Sequence, residues 1–287
     1  MEYLMTYGWA ILIIAVVLGA LFSLGVFNGA NFAPKAPPGA CQVFRPNGPG
    51  TTSFVNLEGV CNGELPEYVA QFNGNSRNNI SATLPTVSNT IFTISVWFYP
   101  TSTSNSGGLA YFGQTFGTGW GPVASTYTGT GGCGNGPAYS VYVLESAIGW
   151  YCVISTYKLN AWNYFALIGT PSGSLVTYTF YLNGNVLSNT VNTPIPPQGG
   201  FTISTTAEQD SFIGDISNVQ IYNTSLSGPE VNALYLEGIG GAPIDLQNLV
   251  GWWPLNGNAN DYSGNGNNGQ ATNVIYTSSW TNGYTTP

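Results

Sequence analysis

The first 27 residues constrain the fold of this chain more than any other stretch. From Tyr3 to Phe27 no residue carries a charge, and most are apolar. A helix of this length would extend roughly 37 Å, which exceeds the roughly 30 Å hydrocarbon core of a bilayer. Because it is apolar all round, a soluble domain could not cover it from one side. The stretch therefore predicts a long N-terminal helix that lies in a membrane or among other helices.

Three interpretations of this helix are open. A cleaved secretory signal would have a basic start and a shorter apolar run of roughly 7–15 residues, and the sequence has neither. A plain membrane anchor fits the length, but it gives no reason for Glu2 or for the missing basic flank. The third interpretation rests on a resemblance, and Gly8, Gly19 and Gly25 would let neighbouring helices approach closely in an apolar setting.

A resemblance favours the third interpretation. EYLMTYGWAILIIAVVLGAL resembles the N-terminal segment of archaeal type IV pilin-like proteins, which are made with a class III signal peptide. Glu2 matches the family's Glu close to the mature start, and Tyr3–Phe27 matches the helix of the filament core. The leader, the cleavage site and the first mature residues have no counterpart here, which leaves processing open.

The resemblance implies a role for the isolated acid. A carboxylate in apolar surroundings is costly unless it is paired, and in a pilus the family's Glu can meet the N-terminal amine of a neighbouring subunit. We therefore expect the chain to polymerise through its helix, after storage in the membrane, into an extracellular filament on the cell surface. The residues expected to act in assembly are Glu2, Tyr3, Leu4, Gly8, Trp9, Ile13, Val17, Gly19, Leu21 and Gly25.

The composition of the remaining chain is typical of an exported β protein. Charged residues make up only 6% of the sequence, and histidine is absent. The net charge of −8 and the lack of a basic run disfavour a nucleic acid partner. Abundant Gly, Asn, Ser, Thr and aromatic residues predict strands and turns rather than disorder. We expect a hydrophobic N-terminal helix over residues 1–29, a stiff Pro/Gly linker over 30–40 and one β domain over 41–287.

The four cysteines predict two disulfides. They show no CxxC spacing and no histidine accompanies them, which disfavours zinc. An even number behind a membrane or export segment favours disulfides and an oxidising, external location. Three pairings exist, of which the local Cys41–Cys61 and Cys133–Cys152 are favoured. Each would close a loop of roughly 20 residues and stabilise the fold by about 3 kcal/mol.

Alternating apolar residues predict an antiparallel β-sandwich. Ile91–Tyr99 places Phe, Ile, Val and Phe on one face, and Asn183-Gly184 is suited to the type I′ turn of a hairpin. Tyr139–Leu144, Tyr164–Ile168 and Phe212–Tyr222 supply further strands, with turn signals between them.

One short helix is predicted near the end of the domain. Ser227 and Glu230 have the spacing of a capping box, which leads into Val231–Leu236, and Gly238 can close the helix.

A second resemblance names the type of sandwich. VAQFNGNSRNNISATLP, FTISVWFYP, TYTFYLNGNV and IGDISNVQIYNTSLSGPEVNALY are similar to successive segments of laminin-G-like, concanavalin-type jelly rolls. Asp215, Tyr222-Asn223, Leu226-Ser227 and Leu234-Tyr235 in the last segment stand at the family's spacing.

The order of the segments implies a circular permutation. LVGWWPLNGNANDYSGNGNNG (Leu249–Gly269) also matches the family, in which it usually opens the domain, whereas here it closes it. Leu249–Leu255 either pairs within its own chain, which is the favoured alternative, or completes a neighbouring subunit's sheet.

Catalysis has little support in the sequence. A concanavalin-type glycosidase needs two carboxylates, and the one candidate pair is Glu208 and Asp210. A solvated loop explains this pair better, and no nucleophile and base set is present, so we expect no catalytic residues and no enzymatic activity.

Cation and sugar sites have several candidates. Asp261, Asn265 and Asn267 offer oxygen atoms for Ca²⁺, but one carboxylate without an acidic companion favours a plain turn, and no cofactor is expected. Aromatic rings could stack on sugars or simply fill the core. The candidate rings belong to Trp120, Tyr127, Trp150, Tyr151 and Trp162.

Two sequons predict glycosylation at Asn79 and Asn223 of an exported chain. The combined expectation is a pilin-like filament subunit that displays a sandwich able to bind cell-surface glycans or mediate adhesion. A membrane-anchored adhesin or lectin that does not polymerise is the alternative, and an extracellular glycosidase is a more distant one.

Overall fold

The described part of this computed structural model covers most of the β domain. The described backbone comprises residues 13–18, 36–48, 51–59, 65–75, 77–85, 87–102, 106–112, 120–125, 140–145, 149–192, 200–205, 211–285 and 287. Side chains are described for residues 13–18, 65–75, 77–85, 87–102, 107–112, 156–187, 200–205, 211–285 and 287.

Two helices occur among the described residues. Helix α1 covers residues 13–18, which is the one described part of the predicted helix over 1–29. Helix α2 covers Gly228–Leu236. In the described ranges, neither helix has the length and apolarity needed to cross a bilayer.

Eighteen strands are described, in two compact units of the chain. The units are Met1–Arg45 with Phe54–Asn62, and Pro46–Ser53 with Gly63–Pro287. The strands are β1 (Ala36–Gly48), β2 (Thr51–Gly59), β3 (Val69–Asn73), β4 (Asn79–Thr83), β5 (Phe92–Pro100), β6 (Ser106–Gly108), β7 (Tyr111–Phe112), β8 (Trp120–Ser125), β9 (Ser140–Glu145), β10 (Gly149–Thr156), β11 (Asn163–Ser172), β12 (Leu175–Leu182), β13 (Asn185–Asn192), β14 (Gly200–Ile203), β15 (Ile213–Tyr222), β16 (Leu249–Trp253), β17 (Gln270–Thr272) and β18 (Ile275–Thr277).

The strands form one small sheet and two large ones. Strands β1 and β2 pair with each other, so residues 36–40 of the predicted linker belong to a strand. The first large sheet has the order β13-β12-β11-β5-β15-β3-β18, with β16 also paired to β15. The second has the order β10-β9-β8-β7-β14-β4-β17, with β6 paired to β8. All described ladders of the large sheets are antiparallel, which confirms the predicted antiparallel β-sandwich.

The central strand β5 is buried on both faces. Its Phe and aliphatic side chains enter the core between the sheets, as the alternation predicts. Its other face is covered as well, because the Trp97 ring stacks on Tyr235 of α2 at 5.8 Å and meets Tyr284 at 5.9 Å. Burial of this outer face was not predicted, because its covering comes from residues far along the chain. The largest fully buried side chains are Trp253, Tyr111, Tyr164, Tyr178, Tyr222, Phe72, Phe92, Phe98, Phe112, Phe165 and Phe180.

Local turn and cap chemistry also agrees with the sequence. Asn183 and Gly184 have φ angles of 50° and 78°, which confirms the tight hairpin between β12 and β13. Before α2, the Glu230 carboxylate accepts hydrogen bonds from the Ser227 N–H at 2.7 Å and from its hydroxyl at 2.6 Å. Gly238, at a φ of 80°, donates its N–H to Tyr235 O at 3.0 Å and closes the helix.

Strand β15 pairs with strands from both the beginning and the end of the β domain. One of its sides pairs with β5 along most of its length. On the other side β3 pairs with residues 213–216 and β16 pairs with residues 219–222. Asn218, at a φ of 49°, lies where one neighbour gives way to the next. The Leu249–Leu255 segment therefore pairs within its own chain through β16, and the alternative of a strand donated to a neighbouring subunit is wrong.

Candidate functional site

A cleft of 540 Å³ opens at the end of the sandwich where β4 and β15 finish and β16 begins. Its lining combines five residues with side-chain amides, four apolar residues and Thr83. The apolar residues are Leu84, Pro85, Leu249 and Val250. The amide residues are Asn223, Gln247, Asn248, Asn265 and Asn267.

Two of these amides are fixed by the backbone of β16. Asn265 Nδ2 donates to Leu249 O at 2.7 Å and to Val250 O at 3.0 Å. Asn267 Nδ2 donates to Val250 O at 2.8 Å. Because these bonds use the nitrogen atoms, each side chain keeps its Oδ1 atom as an acceptor.

The other amides offer complementary groups. Asn223 Oδ1 accepts from the Ser88 N–H at 2.9 Å, which leaves its Nδ2 as a donor. Asn248 Nδ2 donates to Asp245 Oδ2 at 2.8 Å, which leaves its Oδ1 as an acceptor. Gln247 is exposed and contributes a whole amide. The cleft therefore presents uncharged donors and acceptors, which is the chemistry that binds hydroxyl groups.

The loop that carries two cleft amides is built around Asp261. This carboxylate is 1% exposed and accepts hydrogen bonds from the N–H groups of Trp252 (3.0 Å), Ser263 (2.9 Å) and Asn267 (2.8 Å). Its fourth bond comes from the Ser263 hydroxyl at 2.9 Å. Protein groups therefore supply four hydrogen bonds to the Asp261 carboxylate. The side-chain nitrogens of Asn265 and Asn267 donate to the backbone of β16.

The calcium interpretation of Asp261, Asn265 and Asn267 stays a prediction. The four hydrogen bonds of Asp261 agree with the favoured alternative of a plain turn, in which this carboxylate organises the loop. No group of three or more His, Cys, Asp or Glu that could hold a metal ion occurs in the described part of the chain.

A second buried acid lies at the opposite end of β15. Asp215 is 6% exposed, and its one described hydrogen bond comes from Gln71 Nε2 at 3.3 Å. Burial raises the pKa of this carboxyl to about 6, against a smaller lowering by Gln71. Cross-strand pairing places Asp215 between Gln71 on β3 and Tyr99 on β5.

Comparison with protein-family models identifies the superfamily of this domain. Residues 73–232 match the laminin-G family model described as the concanavalin A-like lectin/glucanases superfamily. The chain belongs to this superfamily. The match ends before β16, and the C-terminal strands complete both large sheets beyond it. No curated protein matches the chain by sequence.

Solved structures share the fold of this superfamily member at low sequence identity. A Bacteroides ovatus protein, assigned provisionally to carbohydrate binding, is 16% identical with a TM-score of 0.57. The alignment covers 79% of this chain, and the chain spans 63% of that structure. The heptameric SAP-like pentraxin of Limulus polyphemus is 16% identical with a TM-score of 0.52, over 74% of this chain and 95% of that one. At such identities the likeness shows the fold alone.

The predicted glycosylation and sugar-binding residues differ from one another in exposure. Asn223 is exposed, whereas Asn79 lies half-buried in β4, opposite Thr272 of β17. Trp162 is 7% exposed and donates its Nε1–H to Trp280 O at 3.0 Å, so it belongs to the packed interior.

Several predicted residues lie outside the part of the superfamily domain whose side chains are described. Ile13 and Val17, at 58% and 49% exposure, are the described members of the predicted assembly set. The predictions that fall outside concern Glu2, Tyr3, Leu4, Gly8, Trp9, Gly19, Leu21, Gly25, Cys41, Cys61, Trp120, Tyr127, Cys133, Trp150, Tyr151, Cys152, Glu208 and Asp210.

Sequence reasoning missed two central cleft residues. Gln247 and Asn248 precede β16 and reach the cleft because β16 pairs with the end of β15, next to Asn223. Their spacing from Asn223 carries no motif, and amides are frequent throughout this chain. The one available signal was the hydrophobic strand Leu249–Trp253 that follows them.

Proposed function

We propose that the chain is a carbohydrate-binding protein and that the cleft next to Asn223 holds a neutral glycan. The observation that carries this proposal is the set of five amides that line the cleft together with four apolar residues. Sugar hydroxyls both donate and accept hydrogen bonds, and the free donors and acceptors of the cleft match both functions. Membership of a lectin-containing superfamily and the provisional assignment of the Bacteroides ovatus protein support the same class of ligand.

We propose binding without hydrolysis at this cleft. Glycoside hydrolysis uses two carboxylates that flank the scissile bond. The described residues that line the cleft include no Asp or Glu, and the nearest acid in the network, Asp245, is held by Asn248. The candidate pair for a glycosidase in the sequence is Glu208 and Asp210, so loss of hydrolysis in Glu208→Gln is the result that would establish that activity.

A glycan array probed with the full chain tests the binding proposal. We expect one or more neutral glycans to bind, and we expect Gln247→Ala and Asn248→Ala to weaken that binding by about tenfold, which is the loss of roughly one hydrogen bond. Asn232→Ala is the matched control, because Asn232 is an exposed amide on α2 that does not line the cleft. Equal binding by all four proteins would contradict the proposal.

We further propose that the chain is displayed outside the cell and assembles into a filament through its N-terminal segment. The apolar run Tyr3–Phe27 behind Glu2 is the observation that favours this second function. The exposure of α1 supports it, since its five large apolar side chains are 49–63% exposed and need a covering partner. A bilayer would cover them before assembly and neighbouring copies afterwards.

Electron microscopy of the native protein tests assembly. We expect filaments from the wild-type chain and none from Glu2→Gln, which keeps the size of the side chain and removes its charge. Glu230→Gln is the control, because it removes an exposed charge from the sandwich. Detergent-bound monomers from all three proteins would leave a membrane-anchored lectin as the proposed form.

A further inference from the structure

A row of four side chains crosses the outer face of the first sheet, far from the cleft. Asp215 on β15 pairs with Tyr99 on β5 and with Gln71 on β3, and Gln71 pairs with Ile275 on β18. Directly opposed residues on one face have Cβ atoms about 5 Å apart. The next residue of β15, Ile216, belongs to the core, so the Asp215 row faces outward.

The acid in this row is poorly satisfied by the protein. Asp215 is 94% buried by its neighbours, given its 6% exposure, yet its one described partner is Gln71 at the long distance of 3.3 Å. None of its described interactions is with a Lys or Arg. Removing a carboxylate from water without such compensation is unfavourable, and the raised pKa of about 6 reflects this desolvation. A position that is unfavourable for folding is characteristic of a binding site.

The residues around Asp215 define what it could bind. Gln71 is exposed and has an amide, and Ile275 is 59% exposed. Tyr99 is half-buried, and its ring is held against Trp162 at a centroid distance of 5.6 Å. The row therefore combines an acceptor for hydroxyl protons with an amide on one side of it and an aromatic ring on the other. A pyranose ring has the matching features, which are neighbouring hydroxyl groups and an apolar C–H face.

We propose that Gln71, Asp215 and Tyr99 form a second glycan-binding site, in which the Asp215 carboxylate accepts hydrogen bonds from the hydroxyls of a neutral sugar. The Tyr99 ring borders the C–H face of the sugar, and Gln71 bonds a further oxygen. The eight residues from Asp215 to Asn223 place this site roughly 26 Å from the cleft, at about 3.3 Å per residue of strand. Two sites on one strand would let a branched or extended glycan bind more tightly than either site alone.

Saturation-transfer NMR with the full chain tests the second site. The probes are the methyl glycosides of glucose, galactose, mannose and fucose, each titrated separately to obtain its Kd. We expect Asp215→Asn and Gln71→Ala to weaken one or more of these probes by about tenfold or more, because hydrogen bonds to a carboxylate are lost or misaligned. Glu237→Gln removes a charge elsewhere and is the matched control; it should leave every Kd unchanged.

The two sites are separated by their variants. Loss of binding in the Asp215 and Gln71 variants with full binding in Gln247→Ala supports the second site. Loss in Gln247→Ala alone, equal binding by Asp215→Asn and the wild type, or no binding of any probe overturns it. Thermal unfolding of Asp215→Asn adds an independent measurement: a binding acid should give a variant that melts at a higher temperature at pH 7, whereas a structural acid should give one that melts lower.

Discussion

Asp215 and Asp261 are two buried carboxylates of one domain, and their surroundings differ completely. Asp261, 1% exposed, receives four hydrogen bonds of 2.8–3.0 Å from the loop that it organises. Asp215, 6% exposed, receives one hydrogen bond of 3.3 Å. Burial alone therefore does not tell a structural acid from a binding acid. The number of donors that the protein itself supplies separates the two.

The largest change in the free energy of unfolding should come from replacing Asp261, whose carboxylate receives four hydrogen bonds. Asp261→Asn would replace one acceptor oxygen by an NH₂ group that faces N–H or O–H donors. We expect the free energy of unfolding to fall by about 3 kcal/mol or more, since several hydrogen bonds to a charged acceptor are lost in a buried place. Denaturant unfolding followed by tryptophan fluorescence measures the change. Glu67→Gln, an exposed acid, is the control, and equal stability of both variants would contradict the structural role of Asp261.

Asp215→Asn should raise the free energy of unfolding, whereas Asp261→Asn should lower it. The pKa of Asp215 is raised from 3.8 to about 6 on folding, so the folded state binds the proton more tightly, and the wild type loses stability as the pH rises from about 4 through 6. The variant lacks this loss. We expect its free energy of unfolding to exceed that of the wild type by on the order of 1–3 kcal/mol at pH 7 and to equal it near pH 4. Denaturant unfolding at both pH values measures this difference. A variant that is less stable than the wild type at pH 7 would show that Asp215, like Asp261, has a structural role.

Glu230 is an exposed carboxylate that can be compared with the two buried ones. Hydrogen bonds from the Ser227 hydroxyl and backbone N–H lower the pKa of its carboxyl, so its contribution is present at neutral pH and is lost as the pH falls below the ordinary range of Glu. Water screens this surface interaction. We expect Glu230→Gln to lower the free energy of unfolding by less than about 1 kcal/mol at pH 7, measured by the same unfolding assay. A larger loss would mean that the cap of α2 matters more than its exposure suggests.

The smallest effect should be the coupling between the two buried acids. Asp215 and Asp261 share no described partner, so their effects should add to within about 0.5 kcal/mol in the double variant. Denaturant unfolding of the wild type, the two single variants and the double variant gives this coupling energy. A larger value would show that the loop of Asp261 and the β3 end of β15 respond to each other, and the two acids could then no longer be treated as independent.

The parts of the fold that depend on local chemistry were predictable from the sequence. The alternation of β5, the Asn183-Gly184 turn and the Ser227/Glu230 cap each depend on residues close together in the chain. The burial of Trp97 under Tyr235 was not predictable, because that contact joins residues far apart in sequence. The same limit applies to the way in which β3 and β16 share one side of β15.

The candidate sites were less predictable than the fold. Asn223 and Asp215 stood out in the sequence, but as a sequon and as a family marker respectively. Their proposed functions depend on partners such as Asn248 and Gln71, which come from distant segments. The four hydrogen bonds of Asp261 were not predictable, because a sequence shows which atoms are present and not which donors they face.

The shared flank of β15 has a consequence for how the protein is made. Residues 219–222 gain their second neighbouring strand only when β16, which ends at Trp253, has left the ribosome. Strands β17 and β18 join the edges of both large sheets later still. Since pairings of such long sequence separation form slowly, the sandwich should close only after most of the chain has been synthesised. Until then residues 219–222 of β15 would keep one unpaired edge, which would have to be prevented from pairing with other chains.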